Sequence, residues 1–302
     1  MEPIIQIENL HKRFGKTEAV RGLSLTVPAG GVLAFLGPNG AGKTTTIKTM
    51  LNMLPPDSGQ VRLFGQDSTR LKPEVFCDIG YVSENQQLPE WMTVQQFMDY
   101  CAPMYPNWDA EFAAKLLADF DLPPDRKLKQ LSRGMKMKAA LLCSLAYRPK
   151  LVVLDEPFSG LDPLVRDEFL RGLLELTETE GWTVFISSHD IDEVERLCDS
   201  IAIIDAGQLR LHESVEELQA RFRSITASAD AEFATVVTPE GWHSLEVSGR
   251  SLRATVANFV NEDGIRETLA EFADVTSLSC EPMTLREIFI SLARTYRLEA
   301  QA

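Results

Sequence analysis

Apolar residues recur along this chain at two different periods, and the switches between them divide it into segments. Ile4–Leu10 and Leu23–Val27 alternate apolar with polar, the period of half-buried strands. Pro28-Ala29-Gly30-Gly31 then supplies a turn before the continuous apolar run Val32–Leu36. Between about 85 and 150 the period lengthens. Thr93-Val-Gln-Gln96 is a capping box that opens a helix through about Tyr100. Phe112, Leu116, Leu117 and Phe120 share one helical face, and a further helix is expected from about Gly134 to Tyr147. From 151 the two periods alternate. A strand at Leu151–Leu154 precedes a helix over about 164–179 ended by Gly181. A strand at Thr183–Ser187, a helix over 190–198 and a strand at Ile201–Asp205 follow.

That alternation predicts a parallel sheet covered on both faces, with the middle third as a helical insert. A hairpin at Ala206-Gly207 and a second capping box, Ser214-Val-Glu-Glu217, close the region near 220. Beyond it, stretches near 233–237, 243–247 and 251–256 read as strands. Ile265, Leu269 and Phe272 share a helical face, Val275–Cys280 reads as a strand, and Thr284-Leu-Arg-Glu287 caps a final helix. The expected division is residues 1–220, with the helical part at about 85–150, and a separate small unit at 221–302.

Composition narrows the function. With 44% apolar and 25% charged residues, the 302-residue chain has the make-up of a globular protein. A net charge of −14 argues against nucleic acid and against electrostatic adhesion to anionic lipid, since both need clustered Lys and Arg. The tail repeats this balance, with seven basic and twelve acidic residues in 222–302. Cys77, Cys101, Cys143, Cys198 and Cys280 are far apart in sequence and form no C-x-x-C pair. They read as reduced thiols, not as a disulfide framework or zinc site. No apolar run approaches the roughly 18 residues of a membrane span, and the N-terminus has neither a basic leader nor an apolar core. The expected location is cytoplasmic, with any membrane attachment made through a protein partner.

Candidate chemistry begins at Gly37-Pro38-Asn39-Gly40-Ala41-Gly42-Lys43-Thr44-Thr45, which follows the strand Val32–Leu36 and precedes a helix expected from Thr44 to Leu51. This is the phosphate-loop pattern. Glycines let backbone N–H groups wrap a polyphosphate, Lys43 supplies a point charge for the β/γ-phosphates, and the Thr44 hydroxyl can ligate Mg²⁺. A helix N-terminus adds its dipole to the same place. The second half is Leu151-Val-Val-Leu-Asp155-Glu156-Pro157, an apolar strand ending in two acids. Asp155 can hold Mg²⁺ directly or through water, and Glu156 is placed to orient and deprotonate an attacking water.

With these two halves in order, residues 4 to about 217 resemble the ATP-binding cassette (ABC) ATPases. Leu131-Ser132-Arg133-Gly134-Met135 stands where that family has its Leu-Ser-Gly-Gly-Gln signature, and Ser159-Gly160-Leu161-Asp162 looks like the D-loop. Ser188-His189 matches the switch histidine, and Phe14 matches the aromatic residue that stacks on adenine. The resemblance implies a P-loop NTPase of the α/β class. It would have a RecA-like core, an N-terminal antiparallel β-subdomain, a helical insert and a small C-terminal α+β domain. It also implies ATP and Mg²⁺ as ligands and a head-to-tail pair of cassettes, identical or related. In that pair Ser132 and Gly134 would face the γ-phosphate held by the partner, Asp162 would lie nearby, and His189 would report on the γ-phosphate.

Two motifs depart from the family pattern. Arg133 and Met135 replace the usual Gly and Gln of the signature, and Glu84, in Ile79-Gly-Tyr-Val-Ser-Glu84, falls where the family has its Q-loop glutamine. Glu84 would add negative charge near Mg²⁺, while Gln86 and Gln87 are close enough to shift into register. The stretch 88–108 holds Trp91, Met92, Phe97, Met98, Tyr100, Met104, Tyr105 and Trp108. In the family this region receives a helix of the membrane permease, and Met and aromatics suit an adaptable surface. The resemblance is nearest to ATPases of ABC-2-type exporters, peripheral on the cytoplasmic face of the membrane. An importer ATPase and a soluble non-transport ABC ATPase are the alternatives. A GTPase is excluded by the lack of an [NT]-K-x-D motif.

Overall fold

The computed structural model describes residues 3–233 and 238–299, so most of the strand expected near 233–237 lies outside the described residues. The chain divides into two compact units, Met1–His212 and Glu213–Ala302.

In the first unit, β1 (Pro3–Phe14) and β2 (Thr17–Pro28) form an antiparallel pair. Each runs to 12 residues, well beyond the alternating stretches that announce them. The pairing survives that length because register shifts near Asn9 and Lys12 absorb the breaks in alternation. After β3 (Gly31–Leu36) and α1 (Lys43–Met50) come β4 (Ser58–Leu63), β5 (Gln66–Asp67) and β6 (Ile79–Ser83). The helical insert is α2 (Val94–Cys101), α3 (Ala110–Asp119) and α4 (Arg133–Leu145). Then follow β7 (Leu151–Asp155), α5 (Pro163–Glu180), β8 (Thr183–Ser188), β9 (Ser200–Asp205) and β10 (Gln208–Ser214).

The strands make a four-stranded antiparallel sheet, β2-β1-β4-β5, and a six-stranded sheet, β10-β9-β3-β8-β7-β6. Residues of β7 and β8 are buried throughout, as expected for central parallel strands covered on both faces. The parallel register aligns strand ends: Leu36 pairs with Ser188, Asp155 with Ser187, and Ser83 with Asp155. Segments distant in sequence therefore emerge at one carboxyl edge, where open α/β sheets place their ligands.

The helix expected over 190–198 does not form. Ile191–Glu193 makes a short 3₁₀ turn, and Leu197 N–H bonds to Val194 C=O in a further tight turn. The Asp190 side chain accepts from Asp192 N–H and caps that short turn. Glu193 turns inward to Ser188 and Arg166 instead of facing solvent. Ile191, Val194 and Leu197 are buried as the periodicity predicts, so the apolar face is real although the helix is not.

The second unit comprises α6 (Val215–Arg221), β11 (Arg223–Ala229), β12 (Trp242–Ser248), β13 (Ser251–Val256), α7 (Glu262–Ala270), β14 (Val275–Pro282) and α8 (Leu285–Glu299). Its antiparallel sheet has the order β12-β13-β11-β14. Strand β11 has no counterpart among the expected elements, because its inward face is only Ile225, Ala227 and Ala229. Those small residues pack into one core with Trp242, Leu252, Val256, Ile265 and Leu269.

Candidate functional site

Residues 37–45 join the end of β3 to α1. Two glycines are there because the loop passes close to neighbouring backbone. A Cβ on Gly37 would lie 2.2 Å from the Ile204 carbonyl, and one on Gly42 would lie 2.4 Å from that of Ala19. Gly42 also takes φ 108° as the residue before α1, a conformation that side chains disfavour. Gly37 N–H bonds to Ser188 C=O at 3.2 Å, and Ala41 N–H to Pro38 C=O at 3.1 Å, while Pro38, Asn39 and Gly40 are exposed. Thr45 lies inside α1, its carbonyl accepting from Thr49 Oγ1. Lys43 is buried and its Nζ sits inside the loop, 2.6 Å from Gly37 O and 3.2 Å from Pro38 O.

The two acids arrive from β7. Asp155 Oδ1 accepts from Thr44 Oγ1 at 3.1 Å and from Ser187 Oγ at 2.7 Å. Burial pushes the Asp155 carboxyl up from the ordinary range, against the opposing pull of those two hydroxyls. Glu156 adopts φ 51°, a left-handed conformation that is strained in a residue with a side chain, and its N–H donates to Ser187 Oγ at 3.0 Å. That turn aims the buried carboxylate between Lys43 and His189. Oε1 lies 3.0 Å from Lys43 Nζ, an ion pair without hydrogen-bond alignment, and Oε2 lies 2.8 Å from His189 Nδ1. The Glu156 carboxylate holds the His189 proton more tightly than in a free imidazole.

The signature residues open α4. Ser132 caps the helix, its Oγ accepting from Met135 N–H at 3.2 Å. Gly134 is buried against α5 with no room for a side chain, since a Cβ would meet Val165 Cγ1 at 2.7 Å. Asp162 Oδ1 accepts from Val165 N–H at 3.1 Å. Glu84 follows β6, and its N–H bonds to Asp155 C=O at 2.9 Å. Among the described residues its carboxylate bonds to Ser159 and Arg133 and not to Thr44 or Asp155. Oε1 accepts from Ser159 Oγ at 2.6 Å and from Arg133 Nη2 at 2.8 Å. Ser159 first, then Arg133, hold the Glu84 carboxyl below the usual range. Gln86 stays beside it, its Oε1 accepting weakly from Ser83 N–H at 3.4 Å.

Phe14 ends β1 half exposed, with Lys12 Nζ 5.7 Å from the ring centre, so it is not a core residue. In the aromatic stretch, Met92, Phe97 and Met98 are buried, whereas Trp91, Tyr100 and Met104 are exposed. Beside them a 280 Å³ cavity is lined in part by Phe76, Tyr81, Phe97, Tyr105 and Tyr147.

Three contributors are not among the candidate site residues of the sequence. Ser187 bridges Asp155 and Glu156, Ser159 holds Glu84, and buried Glu193 joins Ser188 to Arg166 of α5. Ser187 carries a signal as a polar residue ending an apolar strand, and Ser159 carries one as the first residue of the D-loop match, whereas Glu193 carries none. The structure thus joins Lys43, Thr44, Asp155, Glu156, Ser187 and His189 directly, while Phe14 and the start of α4 stand on other elements.

Residues 20–159 match the ABC transporter family. The bacitracin transport ATP-binding protein of Enterococcus faecalis is 30% identical over 277 residues, covering 90% of this chain and 89% of that protein. The Nod factor export ATP-binding protein I of Burkholderia lata is 37% identical over 213 residues, 68% of each. A solved ATP-binding subunit of an ABC transporter aligns with a TM-score of 0.65 at 27% identity, covering 72% of this chain and 92% of its own.

Proposed function

This chain belongs to the ABC transporter family as an ATP-binding, ATP-hydrolysing subunit, and from that premise we propose how its residues divide the work and what it drives. The observation that carries the proposal is the Glu156 carboxylate held between Lys43 and His189, one residue beyond the Asp155–Thr44 pair. The backbone of residues 37–45 and Lys43 take the phosphates of ATP, and Phe14 stacks on adenine.

Thr44 Oγ1 and Asp155 Oδ1, hard oxygens 3.1 Å apart, suit Mg²⁺, and a cation there would favour the ionised form of a carboxyl that burial pushes up. When bound, Mg²⁺ neutralises charge on the phosphate oxygens. Lys43 now divides its ammonium between loop carbonyls and Glu156, so a polyphosphate competes for that cation. Glu156 is the general base for the attacking water, and His189, bonded to it, senses the γ-phosphate.

Ser132, Gly134 and Asp162 serve a triphosphate shared with a second cassette, a copy of this chain or a close relative. Trp91, Tyr100 and Met104 form the surface for a membrane permease, which keeps the chain peripheral on the cytoplasmic face. Among the described residues no helix is long and apolar enough to cross a membrane. Relatives named for bacitracin transport and Nod factor export support an exporter of the ABC-2 type. The mixed strand–helix make-up of the second unit supports this too, since an importer tail would more often be a small β-barrel. That unit is an accessory domain.

The test is Glu156→Gln. With Mg²⁺ and saturating ATP the variant should run as a dimer on size exclusion, and its hydrolysis should fall about 10²–10⁴-fold. A variant that stays monomeric and turns over ATP at the wild-type rate refutes the assignment.

A further inference from the structure

Arg133 and Glu84, two of the residues that depart from the family pattern, meet in the folded chain. Arg133 is the first residue of α4, a helix whose opening turn holds no acidic residue. A cation there opposes the positive end of the helix dipole, so it calls for a carboxylate from elsewhere. Glu84 supplies one from 49 residues away in sequence, with Arg133 Nη2 2.8 Å from its Oε1. The same oxygen takes the Ser159 hydroxyl at 2.6 Å. A second feature fits the guanidinium to its seat. Gly160 takes φ +68°, and a Cβ there would lie 2.5 Å from Arg133 Nη1 and 2.9 Å from Cζ. The guanidinium therefore rests where any other residue at 160 would put its side chain.

We propose that Glu84 and Arg133 form one positioning device. Closed by Ser159 and seated on Gly160, the pair fixes the start of the signature helix against the segment that follows Asp155 and Glu156. Glu84 acts through Arg133 and not as a ligand of the metal or the nucleotide. Its backbone is already joined to Asp155, whose carbonyl accepts from Glu84 N–H at 2.9 Å. A continuous chain of contacts thus runs from the metal-binding acid through Glu84 and Arg133 to the adjoining Ser132. Arg133 is about half exposed, and a pair so open to water adds little to folding stability. Its effect is on where Ser132 and Gly134 stand.

This inference rests on the ATPase reading, and the experiment separates the two. The full-length chain is assayed for ATP hydrolysis as wild type, Glu84→Ala, Arg133→Ala and the double variant, across ATP and Mg²⁺ concentrations. Thermal melts establish that each is folded. Each single change should lower kcat about tenfold, and the double should fall about tenfold as well, because both remove the same contact. The Mg²⁺ concentration for half-maximal rate should move less than about twofold in every variant. Glu84→Gln, which keeps a partner for Ser159 and loses the charge, should fall between wild type and Glu84→Ala, and it replaces Glu84→Ala should that protein fail to fold.

Effects that multiply to about a hundredfold in the double variant overturn the proposal. So do unchanged rates, and so does a tenfold rise in Mg²⁺ requirement for Glu84→Ala that Arg133→Ala does not share. A wild-type chain with no Mg²⁺-dependent hydrolysis would instead strike the ATPase reading.

Discussion

The phosphate-loop edge of the sheet and the start of α4 are both polar constellations at the ends of regular elements, but their bonds differ in reach. At the sheet edge, Lys43, Thr44, Asp155, Glu156, Ser187 and His189 bond to one another at 2.7–3.1 Å. Three segments contribute, and most of these groups are removed from water. At the start of α4, Ser132 bonds within its own turn and Arg133 reaches across to Glu84 and the D-loop. In the proposed function the first region does its chemistry inside one chain. The second is held in place by its own chain, and in that proposal its atoms serve a nucleotide shared with a second cassette. A buried network sets geometry by mutual constraint, whereas a half-exposed one needs an anchor, and here the anchor is a side chain 49 residues upstream.

The contrast breaks most clearly at Lys43 and Ser132. Lys43→Ala should weaken ATP binding to the isolated chain by at least about a hundredfold, read by a fluorescent nucleotide, and should leave Glu156 without its buried cation. Ser132→Ala should leave that affinity within about twofold and lower turnover about 10–100-fold, since its hydroxyl caps α4 and, in the proposed function, serves the shared site and not the nucleotide of its own chain. Equal effects on affinity would erase the distinction between the regions. Phe14 tests whether the sheet edge extends to the base. Phe14→Ala should weaken ATP by about tenfold with little change in kcat, from lost stacking.

Gly134→Ala probes the α4 side by packing. A methyl group 2.7 Å from Val165 Cγ1 should cost about 1–3 kcal/mol, seen as a melting temperature lower by several degrees, because α4 must move off α5. The smallest effect is expected at His189. Glu156 raises its pKa above the free value of 6.5, so the folded state binds the proton more tightly than the unfolded one. The resulting stabilisation is complete below about 6.5 and is lost as pH rises through the folded-state value. Wild type should therefore exceed His189→Gln in melting temperature by more at pH 6 than at pH 9. A difference that grows with pH instead would mean that Glu156 does not hold the proton.

Short-range pattern determined much of this protein. The loop at 37–45, the strand ending in Asp155, the capping boxes at Thr93 and Ser214, and the central strands are spelled out by neighbouring residues, because backbone conformation and local burial are decided within a few positions. Tertiary structure decided the rest. Strand β11 exists because its small residues pair with β13 and β14, not because it is apolar. The turns after His189 escape the helix their periodicity favours because Glu193 finds Ser188 and Arg166 inside. Glu84 and Arg133, separately two oddities of the sequence, become one contact only when parallel β6 and β7 bring the residue after Ser83 beside the D-loop. Periodicity records which face of an element is buried. It carries no record of which charge from a distant segment will lie opposite, since that depends on strand order and register alone.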